Sequence, residues 1–150
     1  MMADLLDQIM LVMDEAFDPA FGEAWTRRQI ADALARPNTF CLLGHAASAS
    51  ASAEAHGFAL SRQVVDEEEL LLIAVRPDWR GQGVGLKLLK ELRETASNRG
   101  TKRLFLEMRD GNAAQHFYEK FGFGLIGRRR GYYRLGAHGP IDALTFALDL

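Results

Sequence analysis

The stretch RPDWRGQGVGLKLL, Arg76 to Leu89, places three glycines within five residues, at positions 81, 83 and 85. An apolar run, LLLIAV, precedes it, and a helical spacing of apolar residues follows it, so the glycines stand at a strand-to-helix junction. A glycine-rich turn that opens a helix presents unpaired backbone N–H groups, and the helix dipole adds positive charge there. The stretch therefore predicts an α/β type of fold with an anion-binding turn.

Two familiar phosphate-binding loops do not fit this spacing. A Walker A loop needs a Gly-Lys-Ser/Thr step, but Lys87 has a leucine on each side. A dinucleotide fingerprint GxGxxG that starts at Gly81 needs a glycine at the position of Leu86. The pattern that remains is R-x-x-G-x-G, made by Arg80, Gly83 and Gly85. On spacing alone, this pattern also fits a tight turn that binds nothing.

Composition narrows the classes of protein that the chain can belong to. The 150 residues are 48% hydrophobic and 25% charged, with a net charge of −2, which favours a globular protein over a disordered or nucleic-acid-coating one. No apolar run approaches the roughly 18 residues of a membrane span, and Cys41 is the single cysteine, so we expect a cytoplasmic protein without disulfides. No metal site is expected, because the histidines lack ligand spacing: His45, His56, His116 and His138.

The first half of the chain predicts two helices followed by strands. Residues 3–17 place apolar side chains on one helical face: Leu5, Ile9, Val12, Met13 and Phe17. A second helix is expected from the N-cap residue Thr26 to about Ala35, with Pro37 as its stop. TFCLLG, GFALSRQVV and EEELLLIAV are typical of strands, and the Ala/Ser tract at 46–55 indicates a long hairpin connection. Because residues 70–75 are continuously apolar, we expect them to be buried on both faces of a sheet.

The second half predicts alternating helices and strands. A helix is expected from Gly83 to Asn98, with Gly100 as its stop and an apolar face made by Leu86, Leu89, Leu92 and Ala96. TKRLFLEM predicts a strand, NAAQHFYEKFG a helix that Gly122 ends, and FGLIGRRRGYY and DALTFALDL two more strands. This order predicts an α/β or α+β fold with a central mixed sheet, in a single domain over residues 1–150.

Two segments resemble those of one known family. IAVRPDWRGQGVGLKLL is similar to the acyl-coenzyme A segment V-x-P-x-x-[RQ]-x-x-G-x-G of the GNAT superfamily of N-acetyltransferases, and NAAQHFYEKFGF is similar to its closing N-x-x-A-x-x-[LF]-Y-x-x-x-GF element. The resemblance implies a mostly antiparallel sheet whose middle strands splay apart, with flanking helices, and acetyl-coenzyme A as the cofactor. It implies that the pyrophosphate is bound by the turn residues Arg80, Gly81, Gln82, Gly83, Val84, Gly85 and Leu86. It implies that Ile73, Ala74 and Val75 bind the pantetheine arm, and that Asn112 binds the region near the thiol.

Acetyl transfer to an amine needs a base for the ammonium proton and an acid for the departing sulfur. Glu107 is the candidate base, since it lies in a strand of large apolar residues, where loss of water raises the pKa of a carboxylate. Tyr118 is the candidate acid, because a phenol with a pKa near 10 can protonate a thiolate and the family places its leaving-group tyrosine here. Read from the residues alone, Glu107 also fits a solvated acid near a strand end, and Tyr118 a core tyrosine.

Further segments are similar to those of the superfamily's ribosomal-protein alanine N-acetyltransferases: AFGEAWT, VVDEEELLLIAV, and RRRGYY followed by DALTFAL. That resemblance implies a protein N-terminus as acceptor, with a ribosomal protein as the specific candidate. The net charge of −2 argues against a nucleic-acid or membrane partner. The resemblance places Trp25, Tyr132 and Tyr133 on the substrate side. Residues 128–130, RRR, fit the same loop better than a nucleic-acid patch, since no basic stripe accompanies them.

Two departures leave other acceptors open. Between Glu107 and Tyr118 there is one residue fewer than in those enzymes, and Ala24 replaces their proline. The alternatives are therefore a small-molecule amine, a lysine, or an acyl-coenzyme A binding module without turnover.

Overall fold

The computed structural model describes residues 4–17, 24–47, 54–134 and 139–150. Most of the Ala/Ser tract and His138 lie outside these ranges. The helices are α1 (Leu5–Ala16), α2 (Arg27–Ala35), α3 (Val84–Asn98) and α4 (Gln115–Phe121), with a short 3₁₀ turn at Pro77–Trp79. The strands are β1 (Thr39–Gly44), β2 (Gly57–Val64), β3 (Glu67–Val75), β4 (Arg103–Arg109), β5 (Gly124–Tyr133) and β6 (Ile141–Asp149).

Local signals in the sequence account for the ends of the helices. Thr26 begins α2 with a capping box, in which its Oγ1 accepts from the N–H of Gln29 and the side chain of Gln29 accepts from the N–H of Thr26. Gly100 follows α3 with a φ of 86°, and Gly122 ends α4 with a φ of 119°, which are left-handed values that favour glycine. These helix boundaries agree with the sequence prediction.

The six strands form one mixed sheet in the order β1-β2-β3-β4-β6-β5. Every pairing is antiparallel except that of β3 with β4, which is parallel and joins only Glu67–Glu69 to Arg103–Phe105. Beyond Glu69 the two strands separate. The predicted mixed, mostly antiparallel sheet with splayed middle strands and flanking helices is confirmed.

Each face of the sheet carries its own hydrophobic core. One core joins α1 and α2 to β2 and β3, with Ile9, Val12, Met13, Ile30 and Phe58 almost without exposed surface. The other joins α3 and α4 to β4 and β6, around Leu88, Leu89, Leu92, Leu104 and Phe146. Helix packing on both faces holds the splayed strands in place while leaving the gap between them open.

The packing corrects two sequence predictions. Leu86 is 41% exposed and does not belong to the buried face of α3, where Val84 and Leu88 lie instead. Residues 70–75 pack into the cores on both faces of the sheet but are not fully buried, because every second residue, Leu71, Ile73 and Val75, is only partly buried. The reason is the same in both cases: one side of β3 and the first turn of α3 face the open gap between β3 and β4.

An ion pair inside the protein holds the closed end of the gap. Glu68 is fully buried and accepts hydrogen bonds from the hydroxyls of Ser61 and Thr101, at 2.7 and 3.0 Å. Arg99, just after α3, donates to the same carboxylate at 2.7 Å and lies over the ring of Phe40. Glu68 thus links β2, β3 and the end of α3 where β3 and β4 still pair.

Candidate active site

The glycine turn adopts a backbone that larger residues disfavour. Gly81 and Gly83 have φ values of 77° and 79°, and a Cβ built on either would meet no atom within 4 Å. Gly83 is the N-cap of α3, and the first hydrogen bond of the helix runs from the N–H of Lys87 to the C=O of Gly83. The three N–H groups at positions 84–86 therefore have no partner within the helix, and their residues line a cavity, which suits an anion site.

Arg80 ties the turn to its surroundings. Its guanidinium donates to the C=O of Val75, at the end of β3, and to the C=O of Ala16, at the end of α1, at 3.2 and 3.0 Å. Trp79 lies flat against the buried ring of His56, with centroids 3.6 Å apart and an interplanar angle of 9°. The N–H of Ala46 donates to Nδ1 of His56, and burial, together with His45 and Arg76, lowers the pKa of His56. A neutral His56 thus stabilises the glycine turn by stacking against Trp79, which directly precedes it.

The gap between β3 and β4 is a cavity of about 930 Å³ that begins at the glycine turn. It brings together the candidate base and acid, all but one of the residues predicted to bind the cofactor, and two of the three predicted substrate-side residues. The candidate base and acid that line the cavity are Glu107 and Tyr118. The predicted cofactor-binding residues that line it are Ile73, Ala74, Val75, Arg80, Gly81, Gly83, Val84, Gly85, Leu86 and Asn112. The predicted substrate-side residues that line it are Trp25 and Tyr133. Gln82 and Tyr132 do not line it.

Glu107 and Tyr118 reach the cavity from different elements. Glu107 projects from β4 with 22% of its side chain exposed, and its Oε2 is 3.7 Å from Nε of Arg129. Tyr118 is a buried residue of α4, where its ring packs at 5.5 Å from Phe117 and at 5.8 Å, edge-on, from Phe123. The arrangement places a carboxylate and a phenol on one cavity, which suits proton transfer in both directions.

The short loop between β4 and α4 is tightly bonded. Gly111 has a φ of 84°, and the N–H of Asp110 donates to the C=O of Asp142 in the neighbouring strand β6. Oδ1 of Asn112 accepts from the N–H of Ala114 at 2.9 Å, so that side chain helps to start α4, which begins three residues later than the predicted NAAQHFYEKFG helix. Asn112 therefore has a structural role as well as a place on the cavity wall.

The predicted substrate side has its own internal contacts. Tyr132 is 51% exposed and packs edge-on against Tyr133, with centroids 5.2 Å apart. Arg128 is bonded to two acidic residues of this chain, Asp110 at 3.0 Å and Asp142 at 2.7 Å. Much of its charge is therefore already balanced within the protein.

Several cavity residues were not singled out from the sequence. Gln29, Trp79, Met108 and Phe117 all line the cavity. Gln29 carried no signal in the sequence, because no pattern shows which position of α2 faces the gap between β3 and β4. Met108 follows Glu107 in the sequence, and Phe117 precedes Tyr118. Their position next to the candidate base and acid was the one sequence feature that could have indicated a place at the cavity.

Metal-ligand clusters and membrane-spanning helices are both absent from the described ranges. Within them, no cluster of three or more histidine, cysteine or acidic residues suits a metal ion. Within them, too, no helix has the length and apolar character needed to cross a membrane.

One known family matches most of the chain. Residues 6–123 match the acetyltransferase (GNAT) family, and the chain belongs to this family. The family prediction from the sequence is thereby confirmed.

Among curated relatives, the chain is similar to enzymes named [ribosomal protein bS18]-alanine N-acetyltransferase. The Escherichia coli K12 relative is 42% identical over 94 residues, which cover 62% of this chain and 63% of the relative. The Haemophilus influenzae relative is 37% identical over 94 residues, covering 63% and 64%. The chain thus spans just under two thirds of the length of these relatives.

One solved structure matches the chain over nearly its whole length. The crystal structure of the ribosomal-protein-S18-alanine N-acetyltransferase from Escherichia coli superposes with a TM-score of 0.82 at 30% identity, covering 99% of this chain and 91% of that one.

Proposed function

We propose that this protein is an N-acetyltransferase that moves an acetyl group from acetyl-coenzyme A to the α-amine of a protein N-terminus, with the N-terminal alanine of a ribosomal protein as the acceptor. The observation that carries the proposal is the single cavity that joins the glycine turn to Glu107 and Tyr118. The names of the similar enzymes supply the acceptor. The proposed location is the cytoplasm, where ribosomal proteins are made.

The residues of the turn fit a pyrophosphate. Positions 81 and 83 leave open space where a larger residue would place its Cβ, and the free N–H groups of the first turn of α3 lie beside that space. Ile73, Ala74 and Val75 lie on the stretch of β3 that has left β4, so its edge is open to an extended chain with amide groups, such as pantetheine. Gly85 packs against Phe117, since a Cβ there would come within 3.3 Å of that ring.

Acetyl-coenzyme A, when bound, supplies the acetyl group as an activated thioester. Glu107 accepts the proton that the acceptor's ammonium must lose before the amine can attack. An α-amine ordinarily has a pKa of about 7.7–8.0, against about 10.4 for lysine, so removing its proton asks less of a carboxylate. Tyr118 donates a proton to the leaving sulfur, and its burial among aromatic rings keeps its hydroxyl in one place.

A panel of acceptors tests the proposal. Wild-type protein and the Glu107→Gln variant are incubated with acetyl-coenzyme A, and thiol release is followed with an alanine-starting ribosomal-protein peptide, an N-terminally blocked lysine peptide and a polyamine. We expect release with the first acceptor only, and a large loss of rate in the variant. Preference for the lysine peptide or the polyamine would contradict the acceptor, and an unchanged rate in Glu107→Gln would contradict the base. Tight coenzyme binding without thiol release with any acceptor would indicate a binding module.

A further inference from the structure

Four charged side chains form a row across the sheet at the point where β3 and β4 separate. Glu69 of β3 lies opposite Arg62 of β2 and in register with Phe105 of β4. Glu107 is two residues after Phe105 and shares its face of the sheet, because alternate residues of a strand point the same way. From β2 to β5 this charge row consists of Arg62, Glu69, Glu107 and Arg129.

The two carboxylates occupy the middle of the charge row. Nη2 of Arg62 is 3.7 Å from Oε1 of Glu69, and Nε of Arg129 is 3.7 Å from Oε2 of Glu107. The side chains of Glu69 and Glu107 are 30% and 22% exposed, whereas those of the two arginines are 37% and 62% exposed. Each carboxylate therefore has a guanidinium nearby, and the register of β3 and β4 places the two glutamates at diagonally neighbouring positions on one face of the sheet.

The charges of the row act on one another. Burial raises the pKa of Glu69, Arg62 lowers it, Glu107 raises it, and Arg129 lowers it. The energy between two charges belongs to the pair, so the charge of Glu69 acts on Glu107 as strongly as the reverse.

We infer that Glu69 is a positioning residue for the transfer reaction: its carboxylate, held beside Glu107 by Arg62, makes Glu107 a stronger proton acceptor. The inference rests on the proposed function, in which Glu107 takes the proton of the acceptor. Two like charges that share a site hold a proton more tightly than either does alone. Glu69 does not line the cavity, so it acts through Glu107 and not by touching the acceptor.

Other charged groups lie beside Glu107 on its own strand and at the β2 end of the row. Arg109 follows Glu107 by two residues on β4, and Asp32 and Arg36 of α2 line a smaller recess together with Arg62. Across from Glu107 the sheet presents uncharged residues, Thr145 of β6 and then Gly127 of β5. Glu69 is thus the acidic neighbour of Glu107 within the row.

The test is the pH dependence of kcat for Glu69→Gln, measured with both substrates saturating. We expect the acid-side midpoint to fall by about half to one pH unit. Coulomb's law gives this shift for two charges at the usual spacing of diagonal neighbours in a sheet, about 7–8 Å, at an effective dielectric constant of about 40–80. The plateau rate should fall by about two- to threefold, as expected for a weaker base. Glu69→Asp, which restores the charge, should return the midpoint toward that of the wild type.

Glu67→Gln is the matched control. Glu67 lies on the same strand and the same face, is exposed, and its substitution changes the net charge equally. The charge of Glu67 acts on Arg103, at the closed end of the gap. The midpoint and the plateau of this variant should match those of the wild type.

The inference and the proposed function fail in different ways. If Glu107→Gln loses activity while the profile of Glu69→Gln matches that of Glu67→Gln, the inference is overturned and the proposed function stands. If Glu107→Gln keeps the wild-type rate, the base assignment fails and the inference fails with it. A shift seen in Glu69→Gln but still present in a Glu69→Gln/Glu107→Gln double variant would also overturn the inference, because the effect would not pass through Glu107.

Discussion

Replacing Gly83 with alanine adds one methyl group at the opening of α3, and Gly100, just after the end of the same helix, provides a matched control. Both glycines have left-handed backbones, with φ values of 79° and 86°, and a Cβ at either position would meet no atom within 4 Å. An alanine in this conformation costs about 1–2 kcal/mol at each site. Urea unfolding should therefore show similar losses of stability for Gly83→Ala and Gly100→Ala.

Coenzyme binding should separate the two variants. At Gly83 the new methyl group occupies the open space beside the first N–H groups of α3, so at least one hydrogen bond to a charged phosphate is lost. Such a bond contributes about 1.5–3 kcal/mol, which corresponds to a Kd for coenzyme A about 10- to 150-fold weaker. Calorimetry with coenzyme A should show this weakening for Gly83→Ala and near wild-type affinity for Gly100→Ala. Equal affinities in the two variants would refute the placement of the pyrophosphate at the turn.

Three further predictions concern the supports of the site. Glu68→Ala leaves Arg99 without its buried partner and should lower the free energy of unfolding, measured by urea titration, by about 3 kcal/mol or more. Glu67→Ala, at an exposed position, should lower it by less than about 0.5 kcal/mol. Similar losses in the two variants would contradict the structural role of the buried ion pair. Tyr118→Phe should lower kcat by roughly 10²- to 10⁴-fold with little change in the KM for acetyl-coenzyme A, and a change confined to KM would contradict its role as acid. Because the folded protein lowers the pKa of His56, its contribution to stability is present above about pH 6.5 and is lost as the pH falls further. His56→Phe should therefore flatten the stability profile below about pH 6.5, and an unchanged slope would count against it.

The parts of the fold that the sequence predicted are those governed by local rules. The N-cap residue Thr26 began α2 where expected, and glycines with left-handed backbones ended α3 and α4. The glycine turn was recognisable because its spacing, its preceding strand and its following helix all lie within one short stretch. Such signals need no knowledge of what packs against them.

The errors arose where a neighbour distant in sequence decides the environment. Leu86 fits the helical spacing of a buried face, but the first turn of α3 borders the cavity. The apolar run of β3 looked fully buried, but the strand leaves β4 after Glu69, and Leu71 forms an irregularity in its pairing with β2. The splaying of two strands leaves no periodic pattern in the sequence. Here it was predicted only from the family resemblance.

Charge pairs across the sheet were equally invisible in the sequence. The sequence placed the RRR segment, residues 128–130, on the substrate side. In the structure, however, Arg128 is bonded to Asp110 and Asp142, and Arg129 lies beside Glu107. The neighbourhood of Glu69 and Glu107, 38 positions apart, follows from the parallel register of β3 and β4. Register was needed before these residues could be connected.

The central claim is the transfer of an acetyl group to a protein N-terminal α-amine, and mapping the product tests it most directly. A single alanine-starting peptide that also contains an internal lysine is incubated with the protein and acetyl-coenzyme A, and the modified position is read by tandem mass spectrometry. We predict one acetyl group, on the terminal alanine, in a reaction that Glu107→Gln suppresses. Acetylation of the lysine, or equal product from wild type and Glu107→Gln, would contradict the account.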